Sequence, residues 1–241
     1  MVPFFPRQIA NRAIAIYAIS VILVSALYFS YAMPLMYLVI GIVSVTGFFL
    51  LTSNFSIQLM HMSEKQFVHM LFGLALGLRL VWVIGSYFYY IETTGTPFDK
   101  DARDALGYFN EAAWLSTEPW STVWSYYLGP GDEISDIGYP LYLTVLYRII
   151  GPNVIVPRII KALLGAFTAL LIYKLAARTF EESTGRMAGL MCALMPNLII
   201  YCGYHVKEID MIFLEVAFLE RMDYLLRVKK YNVWTISVPL I

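Results

Sequence analysis

The chain has 241 residues, 59% of them hydrophobic and only 14% charged, with a mean hydropathy of +0.66. Soluble domains carry about a quarter charged residues, so this composition excludes an ordinary soluble fold and sets a polytopic membrane protein as the expectation. Lys plus Arg equal Asp plus Glu at 17 each, which leaves no basic field for nucleic acid.

A spanning helix needs about 20 mostly apolar residues, because each adds about 1.5 Å across about 30 Å of hydrocarbon. Ile9–Tyr31 meets that requirement. Pro34–Thr52 does too, and the short Ala-Met-Pro link makes the pair a helical hairpin. Pro3 and Pro6 precede Arg7 and Arg12, and no small-residue cleavage site follows, so the N-terminus does not read as a cleaved signal. Phe67–Ile91 is the third predicted span and carries Arg79. The hydrophilic window Glu92–Asp136 comes next. Asn153–Ala177, Thr184–Tyr204 and Glu208–Val228 complete six predicted spans, and Tyr231–Ile241 begins a partial seventh. Cys192 and Cys202 have no metal-ligand company and read as small packing residues.

Ile137–Ile150 is apolar but too short to span, with Pro140 near its start, and is predicted to lie at the interface. Charge distribution argues the same way. If this segment does not cross, Arg7, Arg12, Lys65, Lys174, Arg178, Arg186, Arg227, Lys229 and Lys230 all fall on one side. The positive-inside rule then places the N-terminus in the cytoplasm and residues 92–152 outside.

The outer loop concentrates carboxylates: Glu92, Asp99, Asp101, Asp104, Glu111, Glu118, Asp132, Glu133 and Asp136 face only Lys100 and Arg103 as bases. Asp101–Leu115 is predicted as a surface helix. At 100° per residue, Asp101, Asp104, Tyr108 and Glu111 share one face, and Ala102, Ala105, Leu106, Phe109, Ala112 and Ala113 share another. Asp99 and Asp101 could equally cap that helix after the turn at Pro97, and Asp104 could complement its first-turn dipole. Trp114, Trp120, Trp124, Tyr126 and Tyr127 have the density of a membrane–water belt, with sugar stacking open for one or two.

The outer-side cations complete the set. Arg158 and Lys161 lie three apart near the outer end of their span, and His205, Lys207 and Glu208 occupy the next outward turn. Arg158 could instead snorkel, Lys207 and Glu208 could be ordinary interfacial charges, and His205 a satisfied polar residue. Read together, the cations suit an anionic phosphate, and a carboxylate suits deprotonation of an acceptor hydroxyl.

These residues occur in a recognisable order. FDKDARDALGYFNEAAWL follows a span, then GYPLYLTVLYRIIG, then VPRIIKALLGAFTALLIYKLAARTF, then LMPNLIIYCGYHVKE. Over about residues 70–228 this order resembles the GT-C fold membrane glycosyltransferases, in particular bacterial relatives of protein O-mannosyltransferases and aminoarabinose transferases. The resemblance implies an all-α, polytopic GT-C-like fold with juxtamembrane helices in the outer loop. It divides the chain into an N-terminal hairpin with its cytoplasmic loop (1–66) and a partial transmembrane core (67–241). It also implies inverting transfer of a hexosyl or pentosyl group from a polyprenyl-phosphate-sugar donor to a lipid, glycan or protein acceptor, in a bacterial inner membrane with the site facing outward. Asp104, or Asp101, matches the catalytic base. Tyr108, Glu111, Arg158, Lys161, His205, Lys207 and Glu208 are the candidate substrate contacts. No cofactor or metal-ligand set is identified, and a divalent metal stays open. The family continues for several spans beyond the point matching Ile241, so the chain reads as truncated. The other function classes carried forward are a transporter or flippase of lipid-linked saccharides and a non-catalytic membrane subunit.

Overall fold

The computed structural model describes residues 7–28, 39, 41–43, 45–47, 49–50, 59, 61–99, 103–129 and 136–228. Every regular element among them is helical. The chain divides into two compact units, Met1–Phe67 and Val68–Ile241.

In the first unit, α1 (Arg7–Leu27) realises the first predicted span. The predicted span Pro34–Thr52 lies largely outside the described residues. Ser63 and Gln66 form a reciprocal cap at the start of α2 (Glu64–Thr94). The Gln66 amide donates to Ser63 Oγ at 3.4 Å, and the Ser63 amide donates to Gln66 Oε1 at 3.1 Å.

The second unit holds most of α2 and then α3 (Arg103–Leu115), α4 (Trp120–Leu128), α5 (Gly138–Ile150), α6 (Ile155–Thr179), α7 (Glu182–Leu194), α8 (Pro196–Ile200) and α9 (Glu208–Val228). Asn153 ties down the start of α6, where its Oδ1 accepts from the amides of Ile155 at 2.8 Å and Val156 at 3.0 Å. The α6–α7 approach is close because Gly185 carries no side chain. A Cβ there would lie 2.8 Å from the backbone of Ala177. Val83, Ala162, Cys202 and Ile209 form the buried centre that joins α2, α6 and α9.

Three described helices are long and apolar enough to cross a membrane: α1, α2 and α6. The predicted span Thr184–Tyr204 is not one straight helix. It breaks at Met195, and α7 and the Pro196–Gly203 segment meet at a 53° bend. Proline explains the break. Pro196 has no N–H to return to the Cys192 carbonyl, and its ring obstructs that helical turn. Arg79 repairs the deficit. Its guanidinium donates to the carbonyls of Ala193 at 3.1 Å, Cys192 at 3.2 Å and Ala75 at 2.9 Å. Gly165 leaves room for it, since a Cβ there would stand 2.6 Å from Arg79 Nε.

The predicted span Glu208–Val228 forms a helix with those bounds, yet it is not a plain apolar span. It carries Glu208, Asp210, Glu215, Glu220, Arg221, Asp223 and Arg227. Part of this charge is neutralised internally. Arg178 of α6 pairs with Glu220 at 2.5 Å and Asp223 at 3.1 Å, and Asp223 also pairs with Arg227 at 2.8 Å.

The predicted interfacial segment Ile137–Ile150 is α5, 13 residues long. At about 1.5 Å per residue that is about 20 Å, short of the hydrocarbon thickness. Ala112 of α3 packs with Tyr139, Leu143 and Tyr147 of α5, while Leu115 packs with Val123 and Tyr127 of α4. Ala105, Phe109 and Ala112 turn inward as the periodicity predicts, but Leu106 does not and is 43% exposed. Arg148 fixes the α3–α4 corner by donating to the carbonyls of Leu115 (3.1 Å) and Glu118. Its guanidinium carbon lies 4.0 Å from the Trp120 ring centroid, and Trp124 stacks on Trp120 at 6.3 Å.

Candidate functional site

The start of α5 and the first turns of α9 flank a cleft of about 690 Å³. Its walls are largely carbon, from Leu164, Met211, Phe213 and Leu214, with Tyr139 and Tyr142 beside them. The charged side chains among its lining residues are Asp136, Lys207 and Asp210. Lys207 and Asp136 form an ion pair, and the Tyr108 hydroxyl donates to the other Asp136 oxygen at 2.6 Å. Lys207 first, then Tyr108, hold the Asp136 carboxyl below the usual carboxylate range. Burial and the same Asp136 contact push the Tyr108 phenol up.

A second layer of cations lies behind Tyr139. Arg158 and Lys161 are fully buried. The Lys161 ammonium sits 5.3 Å from the Tyr139 ring centroid and donates to the carbonyls of Tyr204 and of Val206 (2.9 Å). It is thereby committed to holding the Tyr204–Lys207 turn. Arg158 does not snorkel. It donates through Nη2 to the Pro97 carbonyl at 2.6 Å and lies 5.7 Å from the Phe98 ring centroid. Its Nε and Nη1 are buried without a hydrogen-bond partner among the described residues. Phenols surround it, from Tyr139, Tyr90, Tyr147 and Tyr87.

His205 is fully buried between Phe98 and Phe109. Its Nε2 and the Tyr147 hydroxyl are 2.7 Å apart, and its Nδ1 has no hydrogen-bond partner among the described residues. Burial first, then the charges of Lys161 and Arg158, push its pKa well below the ordinary histidine value, so the ring is neutral near pH 7. Tyr204 links the turn to the outer loop, donating to Asp99 at 3.2 Å and meeting the Tyr90 hydroxyl at 3.3 Å.

The structure thus brings Tyr108, Arg158, Lys161, His205 and Lys207 into one neighbourhood. Glu208 lies beside them at the head of α9, with a buried Oε2 that has no hydrogen-bond partner among the described residues. Glu111 sits further along α3 against Tyr127, and burial raises its carboxyl. Asp104 is exposed in the first turn of α3. It does not line the cleft, but it is one turn from Tyr108 and its charge reaches that phenol. Asp101 lies outside the described residues. Among the described residues no group of three His, Cys, Asp or Glu side chains is placed to hold a metal.

Sequence reasoning did not single out Asp136 or Asp210 as site residues. Asp210 had a signal, because it falls three residues after Lys207 on the same helical turn. Asp136 had none, being 71 residues from its partner.

Residues 137–240 match the family model described as dolichyl-phosphate-mannose-protein mannosyltransferase. That segment is less than half of the chain and holds α5 through α9, including Arg158, Lys161, His205, Lys207, Glu208 and Asp210. The match points to a membrane glycosyltransferase. Comparison with curated proteins finds no match, and comparison with solved structures finds none.

Proposed function

We propose that this chain forms the donor-binding part of a membrane glycosyltransferase that takes a sugar from a polyprenyl-phosphate carrier and passes it to a lipid, glycan or protein acceptor at the outer face of a bacterial inner membrane. The observation that carries the reading is the pairing of an apolar cleft with two cations, Lys207 in its wall and Arg158 with unpartnered donors behind it. A prenyl chain lies against Leu164, Met211, Phe213 and Leu214. Lys207 at the cleft and the two unpartnered nitrogens of Arg158 behind it receive the phosphate.

In the transfer, the acceptor oxygen forms a bond to the anomeric carbon as the bond from that carbon to the phosphate oxygen breaks. The electron pair leaves with the polyprenyl phosphate, whose added charge the cations stabilise. The acceptor proton passes to a carboxylate. Asp104 is our assignment for that base, and Asp101 stands beside it in sequence. Attack from the face opposite the phosphate inverts the anomeric centre. Tyr108 links the base-bearing helix to Asp136 and hence to the cleft. A transporter would gather its ionisable groups near the membrane midplane. Here Arg158, Lys161, His205, Lys207 and Asp210 cluster where α6 and α9 begin, which favours the enzyme.

The test is binding of polyprenyl phosphate to the full chain, with transfer measured alongside. Lys207→Ala and Arg158→Lys are each expected to weaken binding about tenfold or more, the scale of a hydrogen bond to a charged group. Asp104→Asn is expected to leave binding near normal and to slow transfer by about 10²–10⁴-fold. Unchanged affinity in both cation variants refutes the phosphate assignment. Full transfer in Asp104→Asn refutes that of the base.

A further inference from the structure

We infer that the cleft recognises hydroxyl groups of the carried sugar through Asp210, Tyr139 and Tyr142, and that it admits neutral or amino sugars while refusing uronic acids. The inference rests on the lipid-linked donor reading and adds which side chains meet the sugar and what chemistry they select.

A cleft walled by Leu164, Met211, Phe213 and Leu214 alone would hold any hydrocarbon. Three unpartnered polar side chains in the same wall break that pattern. Asp210 Oδ2, Tyr139 Oη and Tyr142 Oη all belong to residues that line the cleft. Each atom is buried and has no hydrogen-bond partner among the described residues. Tyr139 as a whole is only 6% exposed. Buried polar atoms are nearly always satisfied, so three deficits in one cleft call for a ligand that supplies the missing partners.

The chemistry of the three defines that ligand. An ionised carboxylate only accepts, and it can take donors on both oxygens. Lys161 is near enough for its charge to act on Asp210. Its ammonium, however, donates to the carbonyls of Tyr204 and Val206. Asp210 is therefore left open as an acceptor. The two phenols can each donate or accept. An acceptor-only group flanked by two adaptable hydroxyls suits a polyol, with adjacent sugar hydroxyls donating to Asp210. The tyrosine rings offer apolar surface to the sugar's C–H face. An ammonium could also donate to Asp210 in place of a hydroxyl. A sugar carboxylate could not, because it would meet Asp210 with Asp136 also in the wall, while Lys207, held by Asp136, turns its remaining donors to the phosphate.

The experiment measures binding to the full chain in lipid nanodiscs. The probes are polyprenyl-phosphate-mannose, polyprenyl-phosphate-glucuronic acid and polyprenyl methyl phosphate, a sugarless phosphodiester of the same charge as the mannosyl lipid. Wild type is expected to prefer the mannosyl lipid to both others. Asp210→Asn is expected to lose about tenfold to a hundredfold on the mannosyl lipid, to leave the methyl lipid unchanged, and to narrow the gap to the glucuronyl lipid. Tyr142→Phe, which removes a single oxygen from a partly exposed ring, is expected to lose a few-fold on the mannosyl lipid alone; this arm stands if Asp210→Asn fails to fold. Equal losses on the mannosyl and methyl lipids in both variants would make the residues structural and overturn the inference. Wild type binding those two lipids equally well overturns it too, while leaving the phosphate reading intact. Wild type binding none of the three lipids overturns the donor reading itself.

Discussion

Arg79→Met replaces a buried guanidinium with an apolar side chain of comparable length, and its cost can be worked from the break in the α7–α8 span. Pro196 deprives the Cys192 carbonyl of its helical donor, and the extended backbone at Met195 leaves the Ala193 carbonyl in the same position. Both carbonyls accept from Arg79. Removing the donor strands two buried acceptors at about 1–3 kcal/mol each, or about 2–6 kcal/mol together. Eliminating a buried cation returns part of that, so a net loss of about 2–4 kcal/mol is expected. Arg79→Lys keeps one point donor and should recover about half of it. The assay is reversible unfolding in mixed detergent, with all three proteins compared under one condition. Arg79→Met within about 0.5 kcal/mol of wild type, the range of an uninvolved surface change, would refute the claim that Arg79 sustains the break.

Two further outcomes are expected. The unfolded chain takes up a proton on His205 near pH 6.5 that the fold refuses, so its contribution to stability is present above that pH and lost as pH falls below it. Wild type should lose up to about 1.4 kcal/mol per pH unit there relative to His205→Phe. Identical pH slopes for the two proteins would contradict a buried neutral ring. If the positive-inside rule sets the orientation, a cysteine placed at Ser121 should react with an impermeant thiol reagent added outside, and one at Ser183 should not. The reverse pattern overturns the orientation.

The local elements were legible in the sequence because their signals are local. Hydrophobic periodicity and the flanking His-Val-Lys turn delimit α9, and Gly151 with Asn153 separates α5 from α6. The break at Met195 was half-legible. Pro196 announced a missing donor and Arg79 a charge in need of acceptors, but nothing in the sequence said that each resolves the other across more than a hundred residues. The site divided in the same way. Arg158, Lys161, His205 and Lys207 stood out as polar groups in apolar surroundings. Which of them is already committed depends on the fold, which turns Lys161 onto backbone carbonyls and leaves Arg158 with nitrogens to spare. Asp136 looked like one solvated acid among many until α5 carried it to Lys207. Asp210 lies within a predicted span, three residues after Lys207, and only the fold places its open oxygen at the cleft.

The central claim is that the cleft between α5 and α9 holds a polyprenyl phosphate. The most direct measurement is photo-crosslinking of the full chain in nanodiscs with a polyprenyl phosphate bearing a diazirine in its first isoprene unit, followed by peptide mass spectrometry. The account predicts adducts on Leu164, Met211, Phe213 or Leu214 that unlabelled polyprenyl phosphate displaces and that Lys207→Ala diminishes. Adducts confined to exposed faces such as Ile16–Leu27 of α1, or cleft adducts indifferent to both competitor and Lys207→Ala, would contradict it.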